Sequence, residues 1–159
     1  MPYRKSLMRT SGEILLVEDN PGDIRLMQEA FKEGGFRSRL NVTRDGEQAM
    51  AYLHRTGPYA DCPRPDIILL DLNLPRKHGR EVLAELKNEA DLRQIPVVVL
   101  STSTSPEDVR ESYDLHANCY IPKPIDLDGL IELGKLIERY WLATAILPSP
   151  ATGVNWAAV

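Results

Sequence analysis

The chain has 159 residues, 43% of them hydrophobic, and a formal net charge of -4. This length suits one soluble domain, and an acidic balance without clustered Lys and Arg argues against nucleic acid or a polybasic membrane surface as partner. The amino-terminal residues are polar and no apolar run approaches the ~20 residues that cross a bilayer, so we expect a cytoplasmic protein.

Short apolar segments alternate with segments of helical spacing along the whole chain. The predicted strands cover 13–19, 39–44, 66–71, 95–101 and 118–122, and the predicted helices cover 21–35, 46–57, 79–92, 105–117 and 126–145. The strand segments are almost continuously apolar, as is typical of parallel strands covered on both faces. This order predicts an α/β fold of the (βα)5 flavodoxin-like type, a three-layer sandwich around a five-stranded parallel sheet.

Several predicted boundaries carry start or stop signals. Asn20-Pro21 and Ser105-Pro106 each combine a helix cap with a proline at the first helical position, and Gly34-Gly35 is a break at the end of the first helix. Residues 55–65 contain three prolines, which predict a long loop before the third strand.

Polar residues stand where four of the predicted strands end. They are Glu18 and Asp19 at the end of the first strand, Asp71 at the end of the third, Ser101 and Thr102 at the end of the fourth, and Lys123 in the loop after the fifth. One such residue alone is usually a turn former or a helix cap, and the acid pair could merely cap the first helix. Because the carboxyl ends of parallel strands meet at one edge, however, the whole set predicts a functional site there.

Three carboxylates at one edge would repel one another, so the predicted site needs a cation. Mg²⁺ fits best because it prefers carboxylate, carbonyl and water oxygens and shares its remaining positions with phosphate. We expect Asp19 and Asp71 as direct ligands, Glu18 as a ligand through water, and the backbone carbonyl of Asn73 as the third protein oxygen.

The segments ILLVEDN, ILLDLNLPRKHG, VVVLSTS and YIPKPI resemble the receiver domains of two-component response regulators. Asp71 and Ser101 are 30 residues apart, and Ser101 and Lys123 are 22 apart, which matches the register of that family. The resemblance covers residues 12–142. Residues 1–11 are then an amino-terminal extension and residues 143–159 a carboxyl-terminal tail.

The resemblance implies a switch operated by phosphorylation. Asp71 would accept a phosphoryl group from a phosphohistidine of a sensor kinase, with Mg²⁺ neutralising the transferring oxygens and Lys123 pairing with the phosphoryl group. Ser101 would donate a hydrogen bond to a phosphoryl oxygen, and Tyr120 would turn toward the space that this movement vacates. Thr102 remains an alternative to Ser101 as the hydroxyl donor, because a threonine stands here where the family usually has a small residue.

A closer resemblance concerns the insert at 55–65, the segment YDLHANCYIPKP and the ending IERYWLATAILPSP. These resemble the stand-alone regulators of bacterial, cyanobacterial-type phytochrome histidine kinases. The resemblance implies a phytochrome-like sensor histidine kinase as partner. Only 36 residues follow Lys123, so we expect no DNA-binding output domain.

Two other functions are compatible with the predicted topology. A phosphohydrolase with an aspartyl-phosphate intermediate typically has a second Asp two positions after the nucleophile, where this chain has Asn73. A flavodoxin-like cofactor-binding protein needs neutral donors for a phosphate after the first strand, where this chain has Glu18 and Asp19. We therefore expect a signalling protein and no enzyme.

Apolar residues cover more than one face of the last predicted helix. Leu130, Ile137 and Trp141 can pack on the sheet, whereas a second set needs another cover. We expect a two-fold homodimer through the face of the fourth helix, fifth strand and fifth helix, which the resemblance implies as a common dimer surface, with the tail folding back as the alternative. The predicted interface residues are Leu133, Leu136, Tyr140, Trp141 and Ile146.

Overall fold

The computed structural model of the protein describes residues 12–148, so the expected extension at 1–11 and most of the expected tail lie outside the described residues. Within this range, five parallel strands form one sheet in the order β2-β1-β3-β4-β5. They are β1 (Glu13–Val17), β2 (Arg39–Thr43), β3 (Ile67–Asp71), β4 (Val97–Ser101) and β5 (Cys119–Pro122).

Helices cover both faces of this sheet, as predicted. They are α1 (Pro21–Glu33), α2 (Gly46–His54), α3 (Gly79–Asn88), α4 (Pro106–Asp114) and α5 (Leu127–Leu136), which continues as a π-helix over Ile137–Thr144. Helices α1 and α5 bury their apolar faces on one side of the sheet, and α2 and α3 do so on the other. The (βα)5 three-layer prediction is confirmed.

The predicted helix starts are confirmed by hydrogen bonds. The side chain of Asn20 accepts a hydrogen bond from the backbone N–H of Asp23 at 3.0 Å, and the side chain of Ser105 accepts one from Asp108 at 3.1 Å. Several helices end earlier than predicted. The third stops at Asn88 because the next residue is extended, and the predicted loop at 55–65 contains a short 3₁₀ turn (Gly57–Tyr59).

Strand β3 lies in the middle of the sheet and all five of its residues are buried. Four are aliphatic, and the fifth is Asp71, which is only 6% exposed. A carboxylate there loses its hydration, so it needs charged or hydrogen-bonding partners from the neighbouring loops. The fold thus places one acidic group at the carboxyl end of a fully buried central strand.

One residue of the predicted dimer interface lies elsewhere. Leu133 is 5% exposed and packs in the core with Leu130 and Ile137, so its assignment to an uncovered face is wrong. The reason is helical geometry: residues three and four apart share one face, and Leu133 is three positions after Leu130. Leu136, Tyr140 and Ile146 do lie on the surface, at 52%, 53% and 75% exposure.

We expect Gly79→Ala to lower the free energy of unfolding by about 2 kcal/mol. A Cβ atom at this position would lie 2.6 Å from the Cα of Leu72 and would overlap the carbonyl oxygen of Asp71, both backbone atoms. Urea denaturation measures the change, with Gly22→Ala as control, because a Cβ there meets only the end of the Asn20 side chain, at 3.2 Å. Equal stability of the two variants would contradict this close packing.

Candidate functional site

Three carboxylates lie together at the carboxyl edge of the sheet. Oxygen atoms of Glu18, Asp19 and Asp71 all lie within 4.8 Å of one another. Glu18 and Asp71 are buried, whereas Asp19 is exposed at the mouth of the site. The predicted convergence of these acids is confirmed, and it follows from the pairing of β1 with β3 in the centre of the sheet.

Each oxygen of the Asp71 carboxylate has its own hydrogen-bond donor. The backbone N–H of Asn73 donates to Oδ1 at 3.1 Å, and the ammonium of Lys123 donates to Oδ2 at 3.1 Å. The first donor comes from the loop after β3 and the second from the loop after β5. The two contacts fix the plane of this buried carboxylate. Its oxygens can act as a nucleophile or as metal ligands.

Lys123 is the cation of this cluster. Its Nζ atom donates to Glu18 at 2.6 Å, to Asp23 at 3.1 Å and to Asp71 at 3.1 Å. Burial lowers the pKa of Lys123, but the hydrogen bond to Glu18 and the charges of Asp71 and Glu18 outweigh burial and raise it above its usual value. Lys123 therefore stays positively charged at any physiological pH.

Glu18 is the most deeply placed acid of the site. Burial, together with the charge of Asp71, raises its pKa above the usual value, although the hydrogen bonds that it accepts from Lys123 and from the backbone of Asn20 oppose the rise. Its carboxylate thus depends on Lys123 for its charge balance. The contact between Lys123 and Asp23 joins this arrangement from the first turn of α1, and we did not predict it from the sequence.

Hydroxyl groups at the end of β4, in the loop that follows it and on β5 form a separate chain of contacts. Ser101 is buried, and its Oγ accepts a hydrogen bond from the backbone N–H of Ser103 at 3.2 Å. Tyr120 is half-buried, and its hydroxyl donates to the carbonyl oxygen of Ser103 at 2.8 Å. Thr102, which lies between Ser101 and Ser103 in the chain, is exposed. Ser101 and Tyr120 are therefore linked through one residue of the loop after β4.

The same loop is tied to two helices by contacts that the sequence did not predict. The Ser103 hydroxyl donates to Asp108 on α4 at 2.5 Å, and Arg80 on α3 donates to the other oxygen of Asp108 at 2.6 Å. The hydrogen bond from Ser103, followed by the nearby charge of Arg80, keeps the pKa of Asp108 below its usual value. A movement of Ser103 would therefore reach both α3 and α4.

The acidic cluster suits a divalent metal ion. Glu18, Asp19 and Asp71 offer three oxygen ligands, and hard cations such as Mg²⁺ and Mn²⁺ bind carboxylates in this way. Asn73 is exposed in the adjoining loop, where its carbonyl oxygen is a candidate fourth ligand. One lysine balances only part of the negative charge here, so the residues present fit a bound cation.

A family model of the response regulator receiver domain matches residues 14–135. The chain belongs to the response regulator receiver family. Among its relatives, Rcp1 of Synechocystis sp. is 52% identical over 136 residues, which cover 86% of this chain and 92% of Rcp1. The predicted family is therefore confirmed.

Solved structures of response regulators also match this receiver. The crystal structure of the phosphorylated cyanobacterial phytochrome response regulator RcpA has a TM-score of 0.80 and 55% identity, covering 87% of this chain and 99% of RcpA. The Mn²⁺-bound form of Rcp1 has a TM-score of 0.77 and 51% identity, covering 87% and 99%. The predicted flavodoxin-like fold is confirmed by these matches.

Across residues 12–148 of this response regulator, no helix combines the length and apolar character that crossing a bilayer requires.

Proposed function

We propose that this response regulator accepts a phosphoryl group on Asp71 from a sensor histidine kinase, in a reaction that needs Mg²⁺. The observation that carries the proposal is the buried Asp71 carboxylate, which lies among two further acids and in contact with the ammonium of Lys123. Such a site combines a nucleophile, a fixed positive charge and metal ligands, which is what phosphoryl transfer needs.

In the proposed reaction, an oxygen of Asp71 attacks the phosphorus of a phosphohistidine. The new O–P bond forms as the N–P bond breaks, and the electron pair of the broken bond stays on the imidazole nitrogen. Lys123 donates to a phosphoryl oxygen and so helps to hold the phosphorus where the attacking oxygen and the leaving nitrogen are in line. When bound by Asp19, Asp71 and the carbonyl of Asn73, and by Glu18 through water, Mg²⁺ supplies positive charge for the same oxygens.

The proposed response to phosphorylation runs through the loop after β4. Ser101 gives up its contact with Ser103 and donates its hydroxyl to the new phosphoryl group, which shifts Ser103. Tyr120 follows because its hydroxyl is bonded to the carbonyl of Ser103. The added negative charge on Asp71 thus changes the surface formed by α4 and β5.

The proposed kinase is a phytochrome. This proposal is supported by the relatives alone: RcpA is described as a cyanobacterial phytochrome response regulator, and it is 55% identical to this chain. A further structural relative, with 37% identity and a TM-score of 0.71, is described as a bacteriophytochrome response regulator. The output is proposed to be made by contacts with other proteins, in the cytoplasm.

Incubation with acetyl phosphate and Mg²⁺ tests the proposed function without a kinase. Intact-mass spectrometry should show the addition of one phosphoryl group, and peptide mapping should place it on Asp71. The addition should disappear when EDTA removes the metal. A chain that gains no phosphoryl group, or gains it elsewhere, would exclude the proposed reaction.

We expect Mg²⁺ to raise the melting temperature of the free protein, because it relieves repulsion between Glu18, Asp19 and Asp71 only in the folded state. At ten times its Kd, the gain in free energy of unfolding should be about 1.4 kcal/mol. Thermal denaturation with and without millimolar MgCl₂ measures it, with Asp19→Asn as the variant that should lose most of the gain. An equal gain in that variant would contradict the assigned ligands.

We also propose a homodimer through the face of α5 and its π-helical extension. Leu136 and Tyr140 are at least half exposed there, Ile146 is exposed just beyond the extension, and the ring of Tyr140 packs edge-on against Trp141 with centroids 5.1 Å apart. Trp141 itself is half-buried against the core. Large apolar side chains side by side on a surface are typical of a protein contact, and a second copy of this chain is the occupant that we propose.

We expect Tyr140→Ala to weaken this dimer at least about tenfold, because buried aromatic anchors carry much of the energy of an interface. Light scattering across a concentration series measures the change, before and after phosphorylation of Asp71. Truncation after Pro148 distinguishes a homodimer from a tail that folds back over the same face of its own chain. A second copy predicts that dimers persist after truncation, whereas a covering tail predicts a monomer that begins to associate only when the tail is removed.

A further inference from the structure

We propose that Asp23 is a positioning residue that holds the Lys123 ammonium over Asp71; this inference rests on the proposed function. Asp23 lies on α1, 100 positions before Lys123 in the chain, yet its carboxylate accepts a hydrogen bond from Nζ at 3.1 Å. It lies outside the group of acids that could hold the metal ion. Its contribution therefore passes through Lys123.

The ammonium of Lys123 has three hydrogen-bond donors and each has a carboxylate acceptor. Glu18 and Asp71 lie on the strand side, and Asp23 lies on the helix side. Three acceptors on three different elements define the position of Nζ far better than two do, because a lysine side chain has four rotatable bonds. Removal of Asp23 leaves one donor without an acceptor and frees this end of the chain to move.

An open cavity gives Lys123 somewhere to move. A cavity of about 210 Å³ lies beside its side chain, between α1 and the loop after β5. Apolar side chains form most of its wall, and Glu18, Asp23 and Lys123 supply the charged part. The apolar wall residues include Leu16, Leu26, Met27, Leu100, Ile125 and Leu130. Asp23 and Lys123 both line this cavity, so their hydrogen bond joins α1 to the loop after β5 across its charged side.

The rigidity of Asp23 comes from the start of α1. Asn20 caps this helix by accepting a hydrogen bond from the backbone of Asp23, and Pro21 fixes the first helical position. An acid in the first turn also stabilises the helix through the macrodipole, which is the ordinary structural explanation for Asp23. That explanation does not require a contact with Lys123, so the two can be separated by experiment.

Rates of phosphorylation by acetyl phosphate, in saturating Mg²⁺, test the inference in a set of variants. Asp23→Ala should slow the reaction about fivefold to tenfold, the effect of losing a half-exposed hydrogen bond to a charged group. Asp23→Asn should stay close to the wild-type rate, because the amide oxygen can still accept from Nζ. Glu29→Ala, which removes an exposed carboxylate from the same helix, should have no effect.

A double-mutant cycle with Lys123→Met identifies the route of the effect. In that background, Asp23→Ala should change the rate by less than about twofold, since the residue it positions is gone. The positioning role would be overturned if Asp23→Ala slowed the Lys123→Met variant fivefold to tenfold. It would also be overturned if Asp23→Ala alone reacted faster than the wild type, or if Asp23→Asn were as slow as Asp23→Ala. If the wild-type chain takes up no phosphoryl group, the proposed function fails and this inference fails with it. If the wild type is labelled and Asp23→Ala matches it, only this inference fails.

Discussion

Asp71→Asn is expected to abolish phosphoryl uptake from both acetyl phosphate and a histidine kinase. The amide has nearly the shape of the carboxylate, so the fold should be kept, but its single oxygen can accept only one of the two hydrogen bonds that Asn73 and Lys123 donate to separate oxygens of Asp71. It lacks the negative charge that makes an oxygen of Asp71 a nucleophile. The loss should be complete within detection by intact mass, while the far-UV circular dichroism stays unchanged.

The stability of the same variant gives a second readout. Removal of one of three crowded acids relieves repulsion, so the melting temperature without Mg²⁺ should not fall and its rise with Mg²⁺ should shrink. Asp114→Asn is the matched control, because that carboxylate is exposed at the end of α4, away from the site. Labelling that persists in Asp71→Asn would show that another residue accepts the phosphoryl group.

Lys123→Met is expected to slow phosphorylation of Asp71 about a hundredfold, the usual cost of losing one fixed donor to a developing charge. Methionine keeps much of the apolar stem but lacks the ammonium. The change also leaves Glu18 and Asp71 buried without their counter-charge, so the free energy of unfolding should fall by about 3 kcal/mol. Rates from intact-mass time courses and urea denaturation measure the two effects.

A bound metal ion should change the rate and the stability of Lys123→Met differently. Mg²⁺ supplies positive charge to the acids and should restore part of the lost stability, but it does not replace a donor on the opposite side of the phosphoryl group. Lys135→Met is the control, because that lysine is 58% exposed and pairs with Glu132 on the surface. A Lys123→Met variant with the wild-type rate would contradict the role of this ammonium.

The position of the site could be predicted from the sequence for a simple reason. The strands are almost continuously apolar, so a polar residue at the end of such a strand is conspicuous, and parallel topology brings those ends to one edge. Asp71 is the clearest case, because it ends a strand whose other residues are all aliphatic. Glu18, Asp19 and Lys123 could be found by the same reasoning.

Contacts between individual side chains could not be predicted in this way. Asp23 bonds to Lys123 across 100 positions, and Ser103 bonds to Asp108, but neither residue ends a strand. A signal for Asp23 was present, since the Asn20-Pro21 cap puts residue 23 in the first turn of α1, at the same edge as the acids. The role of an acid there nevertheless depends on where Lys123 points, and only the packed structure determines that.

The end of the last helix shows another limit of periodicity. The predicted helix over 126–145 has one geometry, whereas the structure changes to a π-helix at Ile137. Hydrogen bonds at the end of the segment reach back five positions, from the N–H of Ala145 to Tyr140 at 2.7 Å and from the hydroxyl of Thr144 to Arg139 at 2.6 Å. Such a change turns Tyr140 and Trp141 relative to the residues of α5, and spacing alone does not reveal it.

Transfer of a radiolabelled phosphoryl group from a purified phytochrome histidine kinase tests the central claim most directly. The kinase is first labelled on its histidine and freed of ATP, then mixed with the wild-type chain, with Asp71→Asn or with Asp114→Asn. We predict that label moves to the wild type and to Asp114→Asn when Mg²⁺ is present, and that it does not move to Asp71→Asn or in EDTA. Label that stays on the kinase with every chain, or that moves equally to Asp71→Asn, would contradict the assignment of this protein as a phytochrome-linked acceptor at Asp71.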